Sequence, residues 1–367
     1  MASNLYVHFP FCRRKCSYCA LHSRVGRSEA DRAAYVNRLA SAVTDYFNRG
    51  GRPFDTVYFG GGSPALCDLA PVFPALSPLL TAATEFTVEL HPLDVTDDRL
   101  ARLADGGVNR ISLGVQSLDD AVLADMGRGY TAREAARAFA SIRRRFDNAG
   151  VDLILGYPER PQTPPWAPPR ELADWGLAHC SVYSLILEET SLLAHRLRKK
   201  TPTSTFASLP DDDAVMNRVR ETADFLAGLG LERYEISNYA RPGCACRHNL
   251  AVWRGEDYHG LGEGAFGRLG LWRTENAVSL ATPATETETP GSADAPVCRR
   301  VSADEDRKER TLFRLRTREG LDTTSFPEWR EPLDEFVAEG LLTRRDELYF
   351  LTPRGSEVCD TILAELV

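Results

Sequence analysis

From residue 5 to about residue 190 the chain repeats one pattern: a short apolar or alternating run, then a stretch with apolar residues at helical spacing. The runs at 5–8, 56–59, 86–90, 110–116, 151–157 and 179–187 predict six strands. Between the first two, residues 29–47 place Val36, Leu39, Ala40, Val43 and Phe47 on one helical face. Further helices are predicted over 97–104, 119–126, 131–146 and 170–177. Repeated strand–helix units imply a parallel sheet with right-handed crossovers. The expectation is therefore an α/β fold built as a partial (β/α)6 barrel, with its chemistry on the loops at the carboxyl ends of the strands.

Beyond residue 190 the pattern loosens. A helix is predicted at 211–229, opened by three aspartates that suit the positive end of the helix dipole. A strand is predicted at 233–239, followed by an irregular segment at 243–270. Residues 276–297 are rich in Ala, Thr, Ser, Glu and Pro and read as a flexible linker or surface loop. The expected division is a barrel core at 1–190, an extension at 191–275, a linker at 276–302 and a small α-rich module at 303–367. Helices at 307–315, 333–340 and 356–366 around an apolar pair near 348–351 suggest a winged-helix-like module. Such modules often bind DNA, but 44 basic against 52 acidic residues give a net charge of −8. That balance argues against nucleic acid as a partner.

No apolar run approaches the roughly 20 residues that span a bilayer. The first ten residues also lack the charged-then-apolar order of a secretion signal. The expected protein is cytoplasmic and not an integral membrane protein. In a reducing compartment nine cysteines point to metal or redox chemistry before disulfides. Three of them, Cys12, Cys16 and Cys19, fall within eight residues directly after the first strand. Three thiolates there fit a 4Fe–4S cube with one iron left open. They also fit a zinc site completed by His8 or His22, or three buried, unligated cysteines.

The Cys-x3-Cys-x2-Cys spacing in this loop resembles the signature of the radical S-adenosylmethionine (SAM) enzymes. The text from Leu5 to Cys19 is similar to the branch that holds the oxygen-independent coproporphyrinogen III oxidases and their haem-chaperone relatives. The likeness continues along most of the chain. It implies a 4Fe–4S cluster on Cys12, Cys16 and Cys19 with SAM on the open iron. The turn Phe59-Gly60-Gly61-Gly62-Ser63-Pro64 then corresponds to the family's SAM-binding turn, with Gly61, Gly62 and Ser63 at the ligand. Glu89 matches the acidic residue of a Glu-x-Asn-Pro motif in which His91 stands here for Asn. The same resemblance places Gln116, Arg128, Asp152, Tyr6 and Tyr18 around SAM. Tyr130 takes a position where the branch usually has His.

Two features bear on the branch. The oxidases carry a further cysteine two residues after the third, where this chain has Leu21. The segment Arg247-His248-Asn249-Leu250-Ala251-Val252-Trp253 resembles the haem-binding His-Asn-x-x-Tyr-Trp motif of the chaperones, with Val252 in place of Tyr. The resemblance makes His248 the haem ligand, helped by Trp253. From the residues alone, His248 also reads as a hydrogen-bonded packing histidine. Cys244 and Cys246 precede it and are candidate assisting thiols, or simply loop cysteines.

The implied function is a haem chaperone that holds a 4Fe–4S cluster, SAM and one haem and passes the haem to an acceptor protein. Its output is transfer, and no catalytic residue is assigned. The alternatives are oxidative decarboxylation of coproporphyrinogen III, which needs an electron donor to cleave SAM, another radical SAM reaction on a tetrapyrrole, or a zinc-stapled binding protein.

Overall fold

The computed structural model describes residues 4–158, 166–199, 209–280 and 296–366. Six strands run side by side in chain order, each parallel to the next: β1 (Asn4–Phe9), β2 (Thr56–Gly61), β3 (Glu85–Leu90), β4 (Arg110–Gln116), β5 (Asn148–Leu155) and β6 (His179–Ser184). The sheet does not stop there. At one edge β7 (Asn238–Ala240) lies antiparallel to β6. At the other, β8 (Tyr258–Leu261) is a seventh parallel strand beside β1, continued by antiparallel β9 (Phe266–Leu269), β10 (Trp272–Glu275) and β11 (Val297–Arg300).

Three local expectations are corrected. The predicted strand at 233–239 turns back on itself: Tyr239 pairs with Arg233 and Ala240 with Glu232, antiparallel. The irregular segment 243–270 holds a helix and two strands. The predicted helix at 170–177 is a 3-10 helix, Arg170–Trp175. Of the Ala- and Thr-rich stretch, residues 281–295 lie outside the described residues, and Val297 already belongs to the sheet.

The helices begin where the sequence supplies caps. Helix α1 (Glu29–Asn48) opens with a Ser28–Asp31 capping box. Next come α2 (Val72–Leu76) and α3 (Asp97–Asp105), the latter capped by Thr96. Asp119 caps α4 (Asp120–Met126), and Thr131 with Glu134 boxes α5 (Ala132–Arg143). Then follow α6 (Leu192–Lys199), α7 (Asp212–Gly228), α8 (Arg247–Trp253), α9 (Ala303–Arg314), α10 (Arg330–Ala338) and α11 (Cys359–Ala364).

The two faces of the parallel sheet differ completely. Leu5, Val7, Val57, Phe59, Phe86, Val88, Ile111 and Leu113 are buried on the outer face, in one core with Val36, Leu39 and Val43 of α1. Each contributes about 1.5–3 kcal/mol on burial. The alternate residues point inward and are polar. One row across five strands reads Tyr6, Tyr58, Thr87, Arg110 and Asn148. Polar side chains on the inner face are suited to meeting polar ligands.

The C-terminal module has its own core of Leu315, Phe326, Trp329, Leu333, Tyr349 and Ile362. Its sheet orders β12 (Leu321–Asp322), β14 (Leu348–Leu351) and β13 (Leu342–Arg345). Charge ties the module to the large sheet: Asp306 on α9 bonds Arg268 at 2.6 Å and Arg273 at 2.8 Å. Burial pushes the Asp306 carboxyl up, but Arg310, Arg273 and Arg268 outweigh it and hold it near 2.

Candidate functional site

The cysteine loop follows β1 at the carboxyl end of the sheet and is pinned from several sides. Phe11–Cys12 pairs in parallel with Arg24–Val25. The backbone N–H of Ser17 donates to the Met126 carbonyl (3.0 Å), and its hydroxyl bonds the Tyr157 hydroxyl (2.8 Å). Lys15 donates to the Leu21 carbonyl and the Ser23 hydroxyl. Cys12, Cys16 and Cys19 are half-buried and free. Burial, then the neighbouring thiols Cys19 and Cys16, pushes the Cys12 thiol up.

The glycine turn sits against this loop because nothing larger fits. A Cβ on Gly62 would stand 2.6 Å from the Phe11 carbonyl oxygen and 3.0 Å from the Cys12 sulfur. Gly61 has φ 102°, open to glycine and closed to most side chains. The N–H groups of Gly62 and Ser63 donate to the Phe9 and Phe11 carbonyls, fixing the turn to the loop. The Ser63 hydroxyl bonds Asp94 at 2.6 Å, and Arg13 of the cysteine loop pairs with the same carboxylate. Asp94 is fully buried and was not singled out by the sequence reading. Its signal was present: an acidic residue just after the Glu89-to-His91 stretch.

Arg128 reaches the loop from beyond α4. Its guanidinium donates to the Cys16 sulfur (3.4 Å), to the Gly114 carbonyl (2.7 Å) and to the Tyr130 hydroxyl (3.0 Å). The family departures His91 and Tyr130 meet here, edge to face, with centroids 5.0 Å apart. Burial, then the Arg128 charge, pushes His91 down to about 3, so the imidazole is neutral beside that cation. Gln116 ends β4 with φ 68° after a bulge at Gly114. A non-glycine residue in that region is held by its surroundings and often marks a functional position.

Two carboxylates stand on the inner face. Glu89 accepts from the Tyr58 hydroxyl (2.8 Å) and the Gly61 N–H (3.2 Å). Burial, then repulsion from Asp152, raises its pKa to about 7. Burial also raises Asp152, against hydrogen bonds from Ser181 and Ser112. Tyr6 bonds His8 at 3.0 Å, and Tyr18 packs with Met126, Tyr157 and Leu193. Cys12, Cys16, Gly61, Gly62, Ser63, Arg128 and Gln116 thus converge around the mouth. Tyr6, Glu89 and Asp152 line the wall below.

His248 does not join them. It lies on α8, across the amino ends of the strands, with Nδ1 2.7 Å from the Thr56 hydroxyl at the start of β2. A six-residue strand separates that end from the cysteine loop by roughly 16 Å. The ring packs against Tyr58 and Tyr6, and the residue is 4% exposed. Burial pushes its pKa down to about 3. Glu85 caps α8 from β3, accepting from the N–H groups of Arg247 and His248 at 3.1 Å each. It also accepts from the Cys246 thiol, which burial pushes up to about 12. His248 and Cys246 are both buried in this floor. Trp253 points to the C-terminal module, edge-on to Phe313 with Arg316 over its face, and not toward His248.

The donor set also bears on the metal. His8 is no zinc ligand here: its Nε2 bonds the His22 carbonyl (3.0 Å) and its Nδ1 the Tyr6 hydroxyl. Among the described residues, no three His, Cys, Asp or Glu side chains converge as a single ion requires. A cube places each cysteine on a different iron and does not need that convergence. The half-buried triad, with glycine backbone at one side and Arg128 at the other, fits the cluster.

Residues 6–164 match the Radical SAM superfamily. The chain is 31% identical over 380 residues to the heme chaperone HemW of Mycobacterium tuberculosis (strain ATCC 25618 / H37Rv), covering 99% of this chain and 94% of that protein. It is also 31% identical over 385 residues to heme chaperone HemW of Escherichia coli (strain K12), covering 98% and 97%. The solved coproporphyrinogen III oxidase HemN from Escherichia coli superposes with a TM-score of 0.78 at 21% identity, over 98% of this chain and 89% of that one. That likeness shows the fold. The chain belongs to the radical SAM superfamily and, within it, to the family of the heme chaperones HemW.

Proposed function

We propose that this protein is a haem chaperone that carries a 4Fe–4S cluster and SAM and delivers one haem to an acceptor protein. The observation that carries the reading is end-to-end similarity to heme chaperones, joined to Leu21 where the oxidases have a further cysteine. Cys12, Cys16 and Cys19 would hold the cluster. Gly61, Gly62, Ser63 and Glu89 would bind SAM from one side and Arg128 and Gln116 from the other, with Asp152, Tyr6 and Tyr18 completing the pocket. In the family the reduced cluster with SAM supplies a one-electron cleavage to a carbon radical. The protein's own contribution is positional. Asp94 clamps Ser63 and Arg13, so the turn and the cysteine loop move as one body. The Arg128 cation offsets thiolate charge at Cys16.

No helix among the described residues is long and apolar enough to cross a membrane. We place the protein in the cytoplasm, with an electron donor as a partner if SAM is cleaved. The test is anaerobic reconstitution with iron and sulfide, then titration with haemin and, separately, with coproporphyrinogen III and SAM. Stoichiometric haem binding without SAM cleavage supports the chaperone. SAM cleavage driven by coproporphyrinogen III, with no haem bound, favours the oxidase alternative and refutes this reading. A colourless zinc protein that binds no haem refutes both.

A further inference from the structure

A buried polar atom without a partner costs stability, so several of them on one face call for an explanation. Four such atoms stand on the inner face of consecutive strands: the Thr87 hydroxyl on β3, Nε of Arg110 on β4, Oδ1 of Asn148 on β5 and Nδ1 of His179 on β6. Each is sealed and without a hydrogen bond among the described residues. The register makes them neighbours. Thr87 lies beside Arg110 and Arg110 beside Asn148, at the ~4.8 Å spacing of adjacent strands. His179 pairs with Gly150, one inward position further along β5 than Asn148.

Arg110 is the centre of the set. It is 2% exposed and makes no hydrogen bond or ion pair among the described residues. Burial, then the Arg110 charge, holds both the His179 and the His248 imidazoles down, so each is neutral. Glu85 offsets part of that charge, but its oxygens already accept from the Cys246 thiol and the Arg247 and His248 N–H groups. The other three members can all donate. Thr87 offers its hydroxyl proton, and the Asn148 amide presents N–H when turned about its Cγ. For His179 the neighbour sets the tautomer. The Tyr234 hydroxyl accepts from the Cys246 N–H (3.2 Å) and, among the described residues, has His179 Nε2 (2.8 Å) as the acceptor for its own proton, which leaves a proton on Nδ1. Water reaches the space above. Tyr183, two inward positions beyond His179 at Ser181 and Tyr183 of β6, is 42% exposed, and Tyr58, Glu89 and Asp152 are only half-buried.

We propose that this rung of the barrel binds a carboxylate: the Arg110 guanidinium pairs with it, and Thr87, Asn148 and His179 donate to its oxygens. Donors gathered around one cation favour an oxyanion over an amine or a metal ion. A planar carboxylate also matches the two-pronged guanidinium better than a round anion does. Water alone would satisfy the donors without pairing the cation. The rung is separate from the residues assigned to SAM, since Glu89, Gln116 and Asp152 lie further along the same strands toward the cysteine loop. Two sources carry the group: a free small carboxylate, or the carboxylate on a short side arm of a tetrapyrrole such as haem. The second source rests on the chaperone reading; the rung itself does not.

The test uses full-length protein reconstituted with iron and sulfide, as wild type, Arg110→Met and Thr87→Val. The last is close in shape and keeps the proposal falsifiable if Arg110→Met does not fold. Thermal unfolding is followed with sodium propionate and, as control, with propionamide in sodium chloride of equal ionic strength. The expected result is a melting temperature that rises with propionate alone in wild type, rises less in Thr87→Val and does not rise in Arg110→Met. Soret titration with haemin and with haemin dimethyl ester, which has no free carboxylate, separates the sources. Haemin binding roughly tenfold or more tighter than the ester, with the gap narrowed in the folded variants, assigns the rung to a tetrapyrrole arm. Equal binding of the two, with the propionate effect intact, assigns it to a free small carboxylate. Propionate no better than propionamide, with no gap between haemin and ester, overturns the site and leaves only water there. A propionate effect or ester gap of wild-type size in the folded variants overturns it too. Wild-type protein that binds neither haemin nor its ester removes the chaperone reading, and the propionate result alone then decides the rung.

Discussion

Glu85→Ala should undo the floor of the barrel. The side chain is buried and takes two backbone donors at the start of α8, from Arg247 and His248, and the Cys246 thiol. Helix α8 has no cap from its own neighbour, since Cys246 makes no side-chain cap bond. Alanine therefore leaves two N–H groups without an acceptor in a dry site, which costs roughly 2–4 kcal/mol together. Arg110 adds to this. It is 2% exposed and makes no hydrogen bond or ion pair among the described residues, and Glu85 is one of the anions that offset its charge. Losing part of a buried cation's compensation brings the total to about 4–5 kcal/mol. Urea unfolding followed by circular dichroism should show this as a lower midpoint with an unchanged slope. Glu85→Gln keeps one acceptor oxygen and should lose about half as much. A Glu85→Ala protein within about 1 kcal/mol of wild type would refute the assignment of α8 as a side-chain-capped plug.

Four further outcomes follow from the site. A carboxyl raised from 4.5 to about 7, as Glu89 is, stabilises the fold below about 4.5 and loses that contribution as pH rises through 7. The effect is at most about 3 kcal/mol, so unfolding of Glu89→Gln should be less sensitive between pH 5 and 8 than that of wild type. Gly62→Ala drives a methyl into the Phe11 carbonyl and the Cys12 sulfur, and reconstituted protein should hold far less iron than wild type by colorimetric assay. Arg128→Met should leave the Cys16 thiolate without its cation and make the cluster more prone to loss in air, read as faster decay of its visible absorbance. Asp306→Asn removes a carboxylate held near 2 by three arginines; it should destabilise by about 1–2 kcal/mol at pH 7, with the difference vanishing as pH falls toward 2.

The six barrel strands were readable because each alternates between an apolar outer face and a polar inner one, a signal confined to a few adjacent residues. What escaped depends on distant partners. Strand β8 is Tyr-His-Gly-Leu, with no pattern of its own, and becomes a strand only by lying against β1. Helix α8 is seven residues long and takes its cap from Glu85, more than 160 positions earlier. The hairpin at 232–240 looked like one strand because Tyr234 and Ile236 continue the apolar alternation through the turn. At the site, the cysteine loop and the glycine turn were legible from spacing, since both are local. For His248 the motif showed which residues are present and not which end of the barrel receives them, since its neighbour Thr56 lies 192 positions earlier. Asp94 was visible as an acidic residue after Glu89 and His91, but its clamp on Ser63 and Arg13 and the His91–Tyr130 contact form only when the loops fold together.

The sealed floor gives the barrel the topology of a cup rather than a tube. Among the described residues, α8 stands across the amino ends of the strands and the cysteine loop frames the opposite end. Occupancy is then ordered: the ligand that goes in first leaves last, and a second ligand seated at the rim holds the first in place. Exchange rates in such a vessel are set by traffic at the lip. A larger molecule seated at that rim would slow the departure of a smaller one beneath it without touching it.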